Sequence, residues 1–521
     1  MRKTIMATGL ALLLGALLTV PVQASKWNGV LKLGGIYLDE AENSDLSAVQ
    51  ETYNIYDGFN VTKILLNGQF AKKHFLSLNL TEVNLDSRKG YLSYRLPNHI
   101  RFSARYDEHR QVFDPNRQVT SRRKDWHTNL GVVANDWLRF DGRYDWQTRT
   151  GNRLSYPLGT DSYLGDSYDN TIQRGYIEAV GQKQGRGLAV GYEFTDFKDG
   201  TFETNDRQGY VVSARAYGNA HYLPWWNHYL RGALGETKLK NGDGLKWELS
   251  SFEYTGMARP WQRLGFKYNF YSGRMEDPGL NNVTDNVRND FDVIYYSQYG
   301  RIYGGLGYII NDDDRSVTSY DVWRLGLNGG YQKYITVRFD WQNRTKTDQE
   351  KLTLLKDLED SRIRLNLRSV YKFLTVGVGY LDRTREFTDI GVKSEGTRIS
   401  GFLELRDNKW GAITADYARM DETYTNLYAP FAVMSDIVTG RVDFEYITDL
   451  RLSAGTSYLK ITEDLDIEKS IIFFEGEYFF LGDWSVDFKY NVYNYDDFIL
   501  QDRYYTANVV WFNIGYKFSV E

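Results

Sequence analysis

Histidines and carboxylates carry most hydrolytic and metal chemistry, so their spacing is the first question. The six histidines, His74, His99, His109, His127, His221 and His228, are scattered over the first half of the chain with no metal-ligand spacing. They read as surface, turn or interfacial residues. Acidic clusters occur at Asp312-Asp313-Asp314, at Asp357 with Glu359 and Asp360, and at Glu463 with Asp464 and Asp466. Oxygen-rich loops of this kind can take divalent cations, but solvated loop charge is the plainer reading. No serine sits in a nucleophile elbow, and Gly304-Gly305-Leu306-Gly307 lies inside a strand pattern, where glycines serve close packing or curvature. No catalytic, cofactor-binding or metal-binding residue is expected, and the chain is not expected to be an enzyme.

The charged side chains that do have a regular spacing sit at every second residue. Arg139, Asp141, Arg143 and Asp145 alternate with Leu138, Phe140, Gly142, Tyr144 and Trp146. Arg441, Asp443 and Glu445 alternate with Val442, Phe444 and Tyr446, and Asp487, Lys489 and Asn491 with Val486, Phe488, Tyr490 and Val492. The clearest case runs from Ser361 to Tyr380. There Arg362, Arg364 and Arg368 alternate with Ile363, Leu365 and Leu367, and after a tight turn around Val370 to Phe373, Leu374, Val376, Val378 and Tyr380 alternate with Thr375, Gly377 and Gly379. Period two means strands with one apolar and one polar face. A mid-plane Arg or Lys facing lipid costs about 2–4 kcal/mol, so in a membrane barrel these charges must face the lumen and the apolar residues the lipid. Arg362, Arg364 and Arg368 are then expected opposite the small Thr375, Gly377 and Gly379 of the next strand.

The elements that carry this pattern recur without a break from Trp27 to Phe518. The alternation predicts 26 strands, among them Trp27 to Leu38, Ile55 to Leu66, Ala71 to Thr81 and Tyr504 to Phe518. Twelve tight turns, near Asn67, Pro97, Asn135, Lys183, Leu223, Pro260, Gln298, Gln332, Lys372, Asn408, Thr448 and Gly482, pair 24 of them, so the first and last strands close the sheet and both termini lie on the tight-turn side. The fold class is all-β: a transmembrane antiparallel up-and-down β-barrel of about 26 strands with short periplasmic turns and longer extracellular loops. The 47 Gly, 41 Tyr and 13 Trp against only 8 Pro agree with this, and the mean hydropathy of −0.52 is an average in which two opposite faces cancel. Aromatic residues gather at strand ends as interfacial girdles do: Trp137, Trp226, Trp261, Phe373, Trp410 and Trp484 by tight turns, and Tyr106, Trp146, Tyr271, Trp341, Tyr380 and Tyr417 by long loops. The last strand, with Gly515, Tyr516 and Phe518, resembles the C-terminal assembly signal of outer-membrane barrels, although Ser519-Val520-Glu521 follow it.

The N-terminus sets the compartment. Arg2 and Lys3, an apolar run from Ile5 to Val20 and Val22-Gln23-Ala24 make residues 1–24 a cleaved secretory signal peptide, leaving 25–521 as the barrel, located in the Gram-negative outer membrane. The absence of cysteine rules out a disulfide framework, thiolate metal sites and covalent c-type haem attachment within this polypeptide. With a formal charge of −5 and no polybasic stripe, nucleic acid is not an expected partner.

A barrel of this strand number encloses a wide space. Only Ser25 and Lys26 separate the leader from the first strand, so no N-terminal plug is expected, and a separate protein filling the lumen is physically attractive. In size, strand count, lack of a plug in the same chain, and phrases such as Leu138 to Arg153 (L-R-F-D-G-R-Y-D-W-Q-T-R-T-G-N-R), the chain resembles the porin component of porin–cytochrome electron conduits, the MtrB/PioB type. A Cys-x-x-Cys found near the N-terminus of some members is missing here. The resemblance implies a sleeve in the lipid of the outer membrane around a periplasmic multihaem c-type cytochrome, passing electrons to an outer-face multihaem cytochrome, with haem c carried by the partners and none by this chain. The alternative is a general or substrate-specific diffusion porin for small solutes, in which Gln147 to Asn170 could fold inward and narrow the lumen.

Overall fold

The computed structural model describes residues 26–40, 55, 57–70, 73–112, 120–152, 167–201, 203–220, 223–241, 245–277, 282–313, 316–332, 334–348, 357–388, 391–425, 430–498 and 504–520. The leader 1–24 and the middle of the Gln147–Asn170 segment, 153–166, fall outside them, as do His221 and Asp314. The described residues form one closed sheet of 26 antiparallel strands, each bonded to its neighbours in sequence, with β1 (Lys26–Glu40) bonded to β26 (Tyr504–Val520). The only helical segment among them is a single 3-10 turn at Glu203–Asn205. Closure leaves no sheet edge exposed.

β1 starts and β26 ends at the tight-turn end. Lys26 pairs with Gln69 and Trp27 with Val520, so the chain enters and leaves the wall at the same rim. Ser519 and Val520, which follow the final aromatic, continue β26 and pair with Asn28 and Trp27. Local backbone chemistry makes the short turns. Gln184-Gly185 and Leu481-Gly482 place both residues at positive φ (51° and 78°, 52° and 75°), the geometry of a turn whose twist matches that of the flanking strands.

The first hairpin departs from the expected boundaries, and β2 begins at Gly58, which leaves Ile55 outside the strand it was expected to start. No turn falls at Asn67, where one was expected: β2 runs Gly58–Phe70 and β3 His74–Thr81, with Phe70 paired to His74. Asn67 is spent within the wall: its amide donates to Asn28 Oδ1 (3.3 Å) and its carbonyl oxygen accepts from Ser77 Oγ (2.7 Å). Gly68 is covered by the Trp27 ring, which a Cβ would meet at 2.2 Å. An Asn-Gly pair can therefore be a packing device inside a strand as well as a turn.

The register gives every strand two faces. On β18 (Leu358–Tyr371) and β19 (Leu374–Phe387), Leu365 pairs with Tyr380 and Leu367 with Val378 on one face, while Arg368 pairs with Gly377 and Asn366 with Gly379 on the other. The apolar face continues around the barrel through Val376 to Leu403, Leu405 to Ile413 and Val442 to Ile413. Aromatic pairs mark its tight-turn end, with Trp27 against Phe70 (6.3 Å), Tyr299 against Tyr331 (6.2 Å) and Trp484 against Tyr516 (4.7 Å). Near the loop end, Tyr106 meets Trp126 at 6.1 Å. Tyr271 does not join this belt: it pairs with Glu253 on the charged face.

Candidate functional site

The charged face is the feature of this barrel with chemical content, and it is built by same-strand pairs two residues apart. On β7 (Leu138–Asn152), Arg139 Nε contacts Asp141 Oδ2 at 3.0 Å and Arg143 Nε contacts Asp145 Oδ2 at 2.6 Å. His127 of β6 (Thr120–Asn135) adds a contact from Nδ1 to Asp145 Oδ1 at 2.6 Å. On β22 (Phe431–Phe444), Arg441 Nε contacts Asp443 Oδ1 at 2.7 Å, and that oxygen also accepts from Ser453 Oγ at 2.6 Å. Glu445, expected in the same ladder, lies one residue beyond the strand, where its N–H donates to the Trp410 carbonyl. The ladder ends there because the chain turns.

A second set of bridges spans two strands at once, and glycine on the strand between makes them possible. Arg324, on β16 (Ser316–Tyr331), reaches Asp290 Oδ1 (3.0 Å) and Asp292 Oδ1 (3.1 Å) on β14 (Asn282–Ser297). It crosses β15 (Gly300–Asp313) at Gly305 and Gly307, where an added Cβ would meet Asp292 Oδ1 at 1.9 Å and Asp290 Oδ1 at 2.5 Å. Tyr303 Oη donates to Asp340 Oδ1 (2.6 Å) on β17 (Ile335–Asp348) across Gly326, whose space the tyrosine ring fills. Arg215, on β10 (Arg207–Ala220), contacts Glu178 Oε2 (2.5 Å) on β8 (Ser167–Lys183), past Ala189 and Gly191 of β9 (Arg186–Asp199). Glu178 and Asp290 are only 4 % and 2 % exposed, so each needs its cation to be tolerable at all.

The same device crosses the closing seam. Lys32 of β1 sits opposite Gly515 of β26 and extends over it to Asp487 Oδ2 (2.7 Å) on β25 (Trp484–Asp497) and Glu477 Oε1 (2.8 Å) on β24 (Ile467–Phe480). Arg451 of β23 (Leu450–Glu463) meets the other Glu477 oxygen at 3.6 Å. One charge network thus ties the first strand to three of the last four.

Arg362, Arg364 and Arg368 share the charged face of β18, but of the small residues expected opposite them only Gly377 faces an arginine, Arg368; Arg364 faces Leu381 and Arg362 faces Arg383, while Gly379 and Thr375 fall opposite Asn366 and Val370. The space over Gly377 is taken by the Phe402 ring of β20 (Val392–Asp407), with the Arg368 guanidinium 6.0 Å from its centroid. Of the acidic clusters, Asp360 is engaged by Arg383 (3.0 Å) and Arg385 (3.6 Å).

An apolar cluster on this otherwise polar face escaped the sequence reading. Ile36 and Leu38 of β1, Tyr493 of β25, and Ala507 and Val509 of β26 are buried together with Ile55 and Leu85, which come from segments between strands. Ile36 and Leu38 have the parity of Lys32, and Val509 that of Gly515. The signal in the sequence was a break in alternation around Ile36 to Leu38, readable only once the two inter-strand residues are known to cover it.

No family model matches the chain, and no curated protein matches it. Solved structures do. The siderophore receptor PirA from Pseudomonas aeruginosa aligns with a TM-score of 0.50 at 10% identity, covering 96% of this chain and 81% of that one. The FrpB iron transporter from Neisseria meningitidis (F3-3 variant) aligns with a TM-score of 0.51 at 8% identity, covering 95% and 82%. At these identities the likeness is one of fold: the chain is similar to large closed barrels of receptor and transporter size.

Proposed function

We propose that the chain is an outer-membrane β-barrel whose apolar face meets lipid and whose charged face lines a wet lumen, and that it acts as a sleeve for a periplasmic multihaem c-type cytochrome in electron transfer to the outer face. The observation that carries the reading is the size of the closed wall. Twenty-six strands spaced ~4.8 Å apart and tilted ~40° give a backbone diameter of about 50 Å, enough for a folded domain. Arg139, Asp141, Arg143, Asp145, Arg441 and Asp443 then orient the occupant, and the wall excludes lipid from it. No redox step belongs to this chain, which has no cysteine for haem attachment. The resemblance to MtrB/PioB-type porins supports this reading, and the likeness to siderophore receptors supports the barrel alone.

Affinity purification from detergent-solubilised membranes tests it. Co-purification of a haem-staining protein is expected, and its absence under every respiratory growth condition would sink the sleeve. A second reading, a substrate-specific channel, is favoured by the packing of Ile55 and Leu85 onto the charged face at the seam, which brings the chain's own inter-strand segments toward the lumen. Under that reading the purified chain alone passes its solute selectively.

A further inference from the structure

We infer that the charged face of β17 to β20 is a multidentate anion site, built for ligands bearing several carboxylate or phosphate groups. This inference rests on the proposed inward orientation of the charged face. Its geometry is a column: Arg362, Arg364 and Arg368 follow one another along β18, flanked by Arg344 on β17 and Arg398 on β20. From Arg362 to Arg368 the strand rises about 20 Å.

This panel differs from the rest of the face in its balance of charge. The carboxylates of these four strands with described side chains on the same face are Asp340, Asp360 and Glu404, and each already has a cation. Arg338 takes Asp340 at 2.8 Å, Arg383 takes Asp360 at 3.0 Å and Arg406 takes Glu404 at 2.8 Å. Arg344, Arg362, Arg364, Arg368 and Arg398 have no ion-pair partner among the described residues. On other strands an arginine is paired with an aspartate two residues on, as in Arg139/Asp141, Arg143/Asp145 and Arg441/Asp443, or with a carboxylate two strands away, as Arg215 and Arg324 are. On β18 the residues two positions after Arg362, Arg364 and Arg368 are Arg364, Asn366 and Val370, and Asp360, two positions before Arg362, is taken by Arg383 and Arg385.

The unpaired guanidiniums are also held. Arg344 stacks over the Tyr320 ring with its guanidinium carbon 4.0 Å from the centroid, and its Nε is buried without a hydrogen-bond partner. Arg368 lies over Phe402. Stacking fixes the planar fork while leaving N–H donors free, and a fixed fork matches carboxylate and phosphate oxygens in a bidentate way. The Phe402 ring fills the space over Gly377 and Ser400 Oγ that over Gly379, so a ligand would meet the column from the barrel axis and not across β19.

The test uses the full-length barrel in planar bilayers with tripolyphosphate as the probe. Wild type should prefer chloride over potassium in a salt gradient and be blocked by tripolyphosphate. Arg362→Gln/Arg364→Gln/Arg368→Gln should lose the anion preference and need at least about tenfold more probe for half-block, since a charge-assisted contact is worth about one decade or more. Block should weaken steeply with added salt. The charge-neutral control Lys489→Gln/Glu475→Gln, which removes an ion pair of 2.8 Å elsewhere in the wall, should be blocked like wild type. A cation-preferring wild type, or a triple variant blocked as well as wild type while still migrating as a closed barrel, overturns the site. Neither result depends on a haem partner, so the failure of the sleeve and the failure of this site are separately visible.

Discussion

Replacing Lys32 by Met should loosen the barrel at its seam. Among the described residues the ammonium is the one cation contacting both Asp487 (2.7 Å) and Glu477 (2.8 Å), the side chains of all three are only 17 % to 25 % exposed, and it reaches them by lying over Gly515. Methionine keeps the length and most of the apolar stem, so packing over Gly515 survives. What is lost is the charge, leaving two half-buried carboxylates facing each other with only the longer Arg451 contact. Removing one partner of a fully buried pair costs about 3–5 kcal/mol, and an exposed pair is worth under about 1. The intermediate burial here places the loss at about 2–3 kcal/mol. Urea unfolding of the refolded barrel from lipid vesicles, followed by tryptophan fluorescence, reads this directly. The triple variant Lys32→Met/Glu477→Gln/Asp487→Asn should recover most of the loss, because no uncompensated charge remains. A Lys32→Met barrel as stable as wild type would refute the view that the network fastens β1 to the closing strands.

Three further outcomes follow from the same geometry. Gly326→Val should cost about 1–3 kcal/mol by overpacking, because its Cβ would lie 2.3 Å from the Tyr303 ring. It should also break the Tyr303–Asp340 bond, and Tyr303→Phe in that background should then cost nothing more in the same unfolding assay. Leu365→Arg should destabilise by about 2–4 kcal/mol and Asn366→Arg by less than about 1, since the two residues sit on opposite faces of β18. Equal losses at both positions would overturn the lipid-facing assignment. Arg139→Gln/Asp141→Asn should change stability by less than about 1 kcal/mol, because the pair is 48 % and 42 % exposed.

Much of the wall was legible because its signal is periodic and local. Alternation placed Arg368 and Gly377 on one face, and the counting of turns put the start of β1 and the end of β26 at one rim. The misplaced turn near Asn67 shows where locality ends: what keeps Asn67 and Gly68 in a strand is a hydrogen bond to Ser77 and the ring of Trp27, contacts made with two different neighbouring strands. The seam cluster was hidden for the same reason, since Ile55 and Leu85 become meaningful only against Ile36, Tyr493 and Val509, more than four hundred residues away in the last case.

The strand glycines join these observations into one rule of construction. In a wall where charged side chains must be neutralised without water on every side, same-strand pairs suffice only if each arginine has an aspartate two residues away. Where the strand supplies glycine instead, the cation reaches across it, as Arg324 does over Gly305 and Lys32 over Gly515. On β19 the glycines are present, at Gly377 and Gly379, yet the strand beyond them offers Phe402, Ser400 and Arg398 and no carboxylate at those heights. Phe402 and Ser400 fill the space over those glycines, and the column Arg362, Arg364 and Arg368 is left without the across-strand anion that Arg324 and Lys32 have. A ligand that brings the missing charge completes the pattern that the rest of the wall completes by itself.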